Sequence, residues 1–305
     1  MTHANHTPRT ALICGAHGLI GQTLAAELRT QGFNVLTASR RSQPAVNFAD
    51  LTRTSDWTPH LQGVDIVINA VGSLRDQPAA KGHASAPLAA IHTDAPKALF
   101  DACAEMGVRR VLQISALGVE GNDTDYARTK RTADAHLLQL TAQGQLDGLV
   151  VRPSIVIGAA GASTQLFLNL AKLPVLVLPA VMRQRHIQPV AVGDLATALA
   201  ALLQSTTTGV VLLGGPVRLT MADMIASLRQ QAGHSAPLVI TLPGFATVAS
   251  ARLGDSVAAS PWCSASLELA SHDNTCDPAP LQQWLGHAPL APAHMLAAIR
   301  AESSI

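Results

Sequence analysis

Residues Thr10-Ala11-Leu12-Ile13-Cys14 are a short run of mostly apolar side chains that ends abruptly in Gly15-Ala16-His17-Gly18-Leu19-Ile20-Gly21, after which Leu24 and Leu28 recur at helical spacing. A buried strand, a glycine turn and a helix start in that order leave few options for the chain. The first glycine permits a tight turn, the second lets the backbone approach a ligand closely, and the third lets the helix pack on the strand. The N–H groups at the start of such a helix have no partners within it and point toward an anion. Glycines at this spacing also occur outside nucleotide sites, but the strand before and the helix after favour a dinucleotide cradle. Its contacts are assigned to Gly15, His17, Gly18, Leu19, Ile20 and Gly21, with His17 as a polar filler beside a phosphate.

The next strand, Asn34 to Ala38, ends in Ser39-Arg40-Arg41. A site for NAD usually carries a carboxylate here for the ribose 2′-hydroxyl, whereas arginine forks suit the 2′-phosphate of NADP. Ser39, Arg40 and Arg41 therefore favour NADP(H) over NAD(H), unless the two arginines simply face water.

Strands and helices continue to alternate. Asp65 to Asn69 is a buried strand closing at Ala70-Val71-Gly72, Ala95 to Met106 is helical, and Arg110 to Ser115 is a strand. Tyr126 to Ala142 is helical, Gly148 to Arg152 is a strand closing at Pro153, Val190 to Leu203 is a helix, and Val210 to Gly214 is a further strand. This rhythm predicts an α/β fold with a doubly wound, mainly parallel sheet (Rossmann) and a smaller, mainly helical C-terminal lobe. Residues 1–155, completed by 187–217, would form the nucleotide-binding part, and 156–186 with 218–305 the substrate lobe. Ligands of such sheets bind beyond the carboxyl ends of the strands, where Gly15, Ser39, Gly72, Ser115 and Pro153 fall.

Composition narrows the function. With 48% hydrophobic residues there is ample material for a core, and a net charge of +1 gives no reason to expect nucleic acid or an anionic membrane as partner. The four cysteines, Cys14, Cys103, Cys263 and Cys276, are far apart and read as reduced thiols of a cytosolic protein. The polar stretch Met1 to Arg9 is followed by too short an apolar run for a signal peptide. The most apolar later window, Leu166 to Met182, is broken by Asn169, Lys172, Pro174 and Pro179, so a soluble protein is expected, one that could graze a bilayer or line an apolar pocket. The 12 histidines show no His-x-His or His-Glu-x-x-His spacing, and no metal is expected.

Tyr126 is the only tyrosine, and it lies four residues before Lys130, on the same face of a helix. Such pairs also occur by chance on helix surfaces. In combination, however, Gly15 to Gly21, Asp50-Leu51, Asn69 to Gly72, Ile114-Ser115-Ala116, Tyr126 to Lys130, Arg152-Pro153-Ser154 and Gln188 to Ala196 make the chain resemble an extended or atypical short-chain dehydrogenase/reductase. The similarity runs from about Thr10 to Gly215. It points most to the branch containing the NAD(P)-binding accessory subunit of respiratory complex I and its bacterial relatives, with fainter likeness in Ser264 to Asn274 and Leu281 to Pro292.

The resemblance implies that Tyr126 is the acid/base, that Lys130 binds the nicotinamide ribose and lowers the tyrosine's proton affinity, and that Ser115 orients a substrate carbonyl. It also implies cofactor contacts at Asp50, Leu51, Ala70, Val71, Gly72, Tyr126, Lys130 and Pro153, though Asp50 could equally cap its own turn. A free phenol ionises near about 10, so positive charge beside it would be needed for base chemistry at neutral pH. Two departures weaken a sugar epimerase assignment: only ten residues separate Ser115 from Tyr126, and His92 stands where many extended members have asparagine. On the substrate side, Arg183, Arg185, His186 and Gln188 form a polar cluster beside the apolar Leu173 to Val181, suited to an anionic or carbonyl group with an apolar tail. The expectation is an NADP-dependent oxidoreductase acting on a small carbonyl or quinone-like substrate. The alternative is a non-catalytic NADPH-binding structural, assembly or redox-sensing protein, peripheral to a respiratory or membrane complex.

Overall fold

The computed structural model describes residues 8–42, 45–76, 85–257 and 260–303, so most of the polar stretch Met1 to Arg9 lies outside the described residues. Six strands form one parallel sheet in the order Gly209–Leu213, Asp147–Pro153, Arg110–Ile114, Ile66–Asn69, Thr10–Cys14, Asn34–Ala38. The four inner strands are covered on both faces, which is why they read as nearly continuous apolar runs: every residue of Ile66–Asn69 and Arg110–Ile114 is buried. The two outer strands alternate instead, leaving Leu36, Val210 and Leu212 exposed.

The helices Leu19–Thr30 and Val192–Gln204 pack together on one face of this sheet. Ala95–Met106 and Asp125–Ala142 cover the other, over a core that includes Trp57, Leu99, Phe100 and Leu137. Arg110, the one charge on a fully buried strand, is accounted for by four backbone carbonyls. Two of them, Leu202 and Leu203, belong to the last turn of Val192–Gln204, where a cation complements the exposed carbonyl ends.

A third core, including Phe167, Leu176, Met182, Met224, Ile225, Met295 and Ile299, belongs to the smaller lobe. That lobe is helical with short two-stranded sheets, in one of which Val175–Pro179 pairs in parallel with Leu238–Leu242. The apolar window Leu166 to Met182 is thus divided at Lys172-Leu173-Pro174 between the end of a helix, a strand and the start of a short helix. No helix among the described residues is long and apolar enough to cross a membrane. The helix expected from Val190 begins at Val192, because Val190-Ala191 first pairs with Val156-Ile157.

Candidate functional site

The glycine loop closes on itself as its spacing requires. Gly15 has a φ of 79°, and a Cβ there would lie 2.8 Å from the carbonyl oxygen of Ala70. A side chain at Gly21 would run into the carbonyl of Gly15, so the helix can seat on the loop only without one. The result is a cavity of about 490 Å³ lined by Gly15, His17, Gly18, Ser39, Arg40, Arg41, Ala70, Val71 and Gly72, together with Val46 to Ala49, Ala86 and Ile91. Backbone contributes much of one wall and the two arginines stand at another, a surface that fits a dinucleotide with its phosphates at the helix start. Ser39 Oγ lies 2.7 Å from His17 Nδ1, which fixes the imidazole at the loop. Asn69 Oδ1 accepts from the Val71 N–H at 3.1 Å and Asn69 Nδ2 donates to Gln113 at 2.7 Å, so a buried pair holds the Ala70-Val71-Gly72 turn.

Other expected contacts fall elsewhere. Asp50 accepts from Asn47 within its own turn, while its neighbours Asn47, Phe48 and Ala49 line the cavity. Leu51 packs on the core of that face, and its carbonyl accepts from Trp57. Leu19 lies beside Gly158 and Gly161, and Ile20 packs into the core under the sheet. Pro153 lines a second cavity.

That second cavity, about 230 Å³, is lined by Tyr126 and mostly by apolar groups: Leu74, Ala116, Leu117, Leu166, Phe167 and Trp262 among them. Arg185 and His272 are the ionisable groups on its wall besides Tyr126. The polar cluster expected around Arg185 is dispersed. Arg183 bonds Thr241, His186 and Arg218 share Asp273, and the buried Gln188 serves Gly215 and Cys276. Arg75, beyond the strand Ile66–Asn69, donates to the carbonyls of Gly254, Asp255 and Ser260 and so ties the lobe to the sheet.

Tyr126 and Lys130 lie in the first turns of Asp125–Ala142, whose N-terminus is capped by Thr124 accepting from the Ala127 N–H. The buried Lys130 ammonium donates to the carbonyls of Val71 and Ile114 at 3.0 Å each, bridging the turn of the first cavity and the end of the strand Arg110–Ile114. Burial brings it down to about 8, against the pull of Asp134. The phenol moves the other way: burial first, and then Asp134, push Tyr126 up to about 12. This reverses the direction expected from a neighbouring lysine.

Ser115 is buried, and its hydroxyl donates to Asp134 Oδ2 at 2.7 Å, while its successors Ala116 and Leu117 line the apolar cavity. The same Asp134 oxygen receives Nε and Nη2 of Arg152 at 3.2 and 3.0 Å. His92 sits in the π-helical turn Ala90–Asp94 with its ring edge-on to Tyr126, centroids 5.5 Å apart. Its Nε2 accepts from the Ser73 N–H, so Nδ1 carries the proton toward Thr129 Oγ1, which in turn donates to the Asp125 carbonyl. Burial, aided by Lys130, holds this imidazole neutral, down at about 2. Among the described residues no group of three or more histidines, cysteines, aspartates or glutamates could hold a metal ion.

Two groups of residues at the site were given no role of their own from the sequence. Asp134 and Arg152 had a local signal: a carboxylate four residues beyond Lys130 on the same helical face, and an arginine in an otherwise apolar strand. The cavity residues Leu74, Trp262 and Met221 had none, because they come from three segments that only the tertiary fold unites.

Comparison with known proteins places this arrangement. The chain is 28% identical over 245 residues to the epimerase family protein Mb2239 of Mycobacterium bovis, covering 75% of this chain and 80% of that one. Its fold is shared with UDP-glucose 4-epimerase of Thermus thermophilus in complex with NAD, at 17% identity and a TM-score of 0.70 over 96% of this chain and 99% of that one. It is shared equally with RMD from Pseudomonas aeruginosa complexed with NADPH, at 17% identity and a TM-score of 0.68 over 99% and 100% of the two chains. The model of the NAD dependent epimerase/dehydratase family matches residues 11–214, from the first strand through the last strand of the sheet, and the chain belongs to that family.

Proposed function

We propose that this protein is an NADP-dependent oxidoreductase of the short-chain type, moving hydride to or from a small apolar carbonyl or quinone-like substrate with Tyr126 as the acid/base. The observation that carries the reading is the position of Tyr126. It lines the apolar cavity, while Lys130, one turn on, reaches the Val71 carbonyl on the wall of the nucleotide cavity. The nicotinamide group, when bound, supplies or takes the hydride. Gly15, Gly18 and Gly21 admit the pyrophosphate to the backbone, and Arg40 and Arg41 meet a 2′-phosphate. Lys130 holds the ribose, and Tyr126 gives its proton to the substrate oxygen as negative charge develops there. The mostly apolar lining excludes water from that oxygen, and it suits a compact hydrophobic substrate better than the polyhydroxylated sugar of a sugar nucleotide. Titration with NADPH and with NADH, followed by nicotinamide fluorescence, tests the cofactor. NADPH oxidation across a panel of apolar ketones and quinones, with a UDP-sugar as control, tests the substrate class. Faster turnover of the UDP-sugar would overturn the reading.

A second reading has its own observation. The Ser115 hydroxyl is engaged by Asp134 and the phenol is strongly protonated, an arrangement that also suits a protein holding NADPH without turning it over. This is the structural, assembly or redox-sensing role, peripheral to a respiratory or membrane complex, that the likeness to the complex I accessory branch suggested. It requires tight NADPH binding, no oxidation across the panel, and recovery of the protein with membranes.

A further inference from the structure

In the helix Gly244–Asp255 the larger apolar side chains are the exposed ones. Its buried positions are Thr247, Ala251 and Gly254, whereas Phe245, Val248, Ala249 and Leu253 are exposed, Phe245 by 81% and Leu253 by 72%. A helix that met only water on that side would carry its large apolar groups on the other face. The strand leading into it repeats the pattern. In the parallel pair Val175–Pro179 and Leu238–Leu242, Leu176 and Leu178 are buried, while Val175 and its partner Leu238, and Val177 and its partner Ile240, are exposed. The ribbon is therefore apolar on both faces, with only one of them covered. Nine of the fourteen large apolar residues exposed among the described residues lie in 173–177 and 238–257. Such a concentration marks an interaction surface, where singly scattered apolar groups would mark nothing.

The charges of this region have one sign. Segments 172–186 and 234–254 contain no aspartate or glutamate and carry four cations, Lys172, Arg183, Arg185 and Arg252, all exposed. Arg252 falls on the exposed stripe of the helix, and Arg183 bonds Thr241 at the end of the ribbon. The carboxylates that adjoin these segments are engaged: Asp255 accepts from Ser264, and Asp273 from Arg218. An isologous pairing of this face with a second copy would set the four cations against four more. Anionic headgroups over an apolar interior complement both features at once.

We propose that this face, the outer side of the ribbon and the exposed stripe of Gly244–Asp255, docks on a bilayer surface containing anionic lipid. Phe245, Leu253 and the ribbon's aliphatic groups enter the headgroup boundary, and the cations meet lipid phosphate. The helix also touches the substrate cavity: Ser250 accepts from the indole N–H of Trp262 at 3.1 Å, and Trp262 lines the cavity that takes in Tyr126. Docking thus brings the apolar cavity toward the phase in which an apolar carbonyl or quinone concentrates. The docking itself does not rest on turnover at Tyr126.

Sedimentation with lipid vesicles, in the absence of nucleotide and substrate, tests the docking. On vesicles of phosphatidylcholine with about one-third phosphatidylglycerol, the parent should partition at least about tenfold more strongly than on phosphatidylcholine alone, and added salt should remove most of the difference. Arg252→Ala should weaken partitioning to the anionic vesicles about fivefold. Phe245→Ser combined with Leu253→Ser should weaken it about a hundredfold. These side chains are exposed, so thermal melts of the variants should match the parent. Should the helix pair not fold, Leu238→Thr with Ile240→Thr makes the same test on the ribbon, where threonine keeps the strand. Parent protein left in the supernatant with both vesicles overturns the proposal, as do variants that bind like the parent or equal binding to the two lipids. Light scattering that shows a dimer, split by the helix pair, would place a second copy on this face and overturn it as well. Vesicle binding and NADPH oxidation are read separately, so either can fail while the other holds.

Discussion

Around the glycine loop, much of what a ligand meets is main chain: Gly15 and Gly18, the Ala70-Val71-Gly72 turn, and the N–H groups opening Leu19–Thr30. Around Tyr126 a ligand would meet side chains gathered from eight stretches of the chain, Leu74, Leu117, Phe167, Met221 and Trp262 among them. The first surface is fixed by backbone geometry and tolerates almost no change. The second is fixed by packing, where one apolar group substitutes for another at modest cost. A family can therefore keep its cofactor while changing its substrate. In this family member the second cavity is lined mostly by apolar groups.

The largest effect should come where the two surfaces meet. Tyr126→Phe removes one oxygen, leaves the helix and its contacts in place, and should lower the NADPH oxidation rate about 10²- to 10⁴-fold, the usual contribution of a positioned acid. Nicotinamide fluorescence should show NADPH binding within about twofold of the parent, since the cradle does not depend on that oxygen. An unchanged oxidation rate would break the division of labour between the two regions and leave the second reading standing.

On the backbone side, Gly21→Ala should be nearly as damaging despite adding only a methyl group. That methyl runs into the Gly15 carbonyl, so either the loop opens or the helix lifts from the strand. NADPH binding should weaken about a hundredfold or more, with a fall in thermal stability, whereas Leu166→Met on the cavity wall should leave binding and stability nearly unchanged. Equal effects of the two substitutions would remove the contrast.

His92 connects the regions through the fold rather than through a ligand. Its pKa is depressed in the folded protein to about 2 from an ordinary value near 6.5, so the unfolded chain binds the extra proton first as pH falls. Stability from this group is fully present above about 6.5 and is lost progressively below it. Between pH 6.5 and 5 the loss should be about 2 kcal/mol, since each pH unit is worth about 1.4 kcal/mol for one proton. Thermal melts at pH 7 and pH 5 should show a gap in midpoint that narrows in His92→Asn, which places an uncharged amide in the same turn.

Legibility in the sequence followed the same divide. The parallel sheet was readable because its inner strands, buried on both faces, are short apolar runs with helical patterns between them. The cradle was readable because glycine spacing reports backbone geometry directly. Val175–Pro179 and Leu238–Leu242 carry no mark of being partners, since their pairing depends on how the intervening helices fold back. The field at Tyr126 was misread for a related reason. One-turn spacing predicts which side chains are neighbours, but not that burial raises the phenol, nor that a carboxylate two turns on, Asp134, adds to it.

Arg40 offers the smallest effect and the finest distinction. Its side chain is exposed at the edge of the nucleotide cavity beside Arg41, so whatever it gives a 2′-phosphate is shared and screened by salt. Arg40→Ala should therefore weaken NADPH about tenfold, leave NADH unchanged, and lose most of its effect at high ionic strength. The double substitution with Arg41→Ala should bring the two nucleotides close to parity. Parity in the parent protein, or tighter NADH, would mean that both arginines face water and that the cradle reads only the pyrophosphate. The backbone half of the comparison would then stand while its one side-chain refinement fell away.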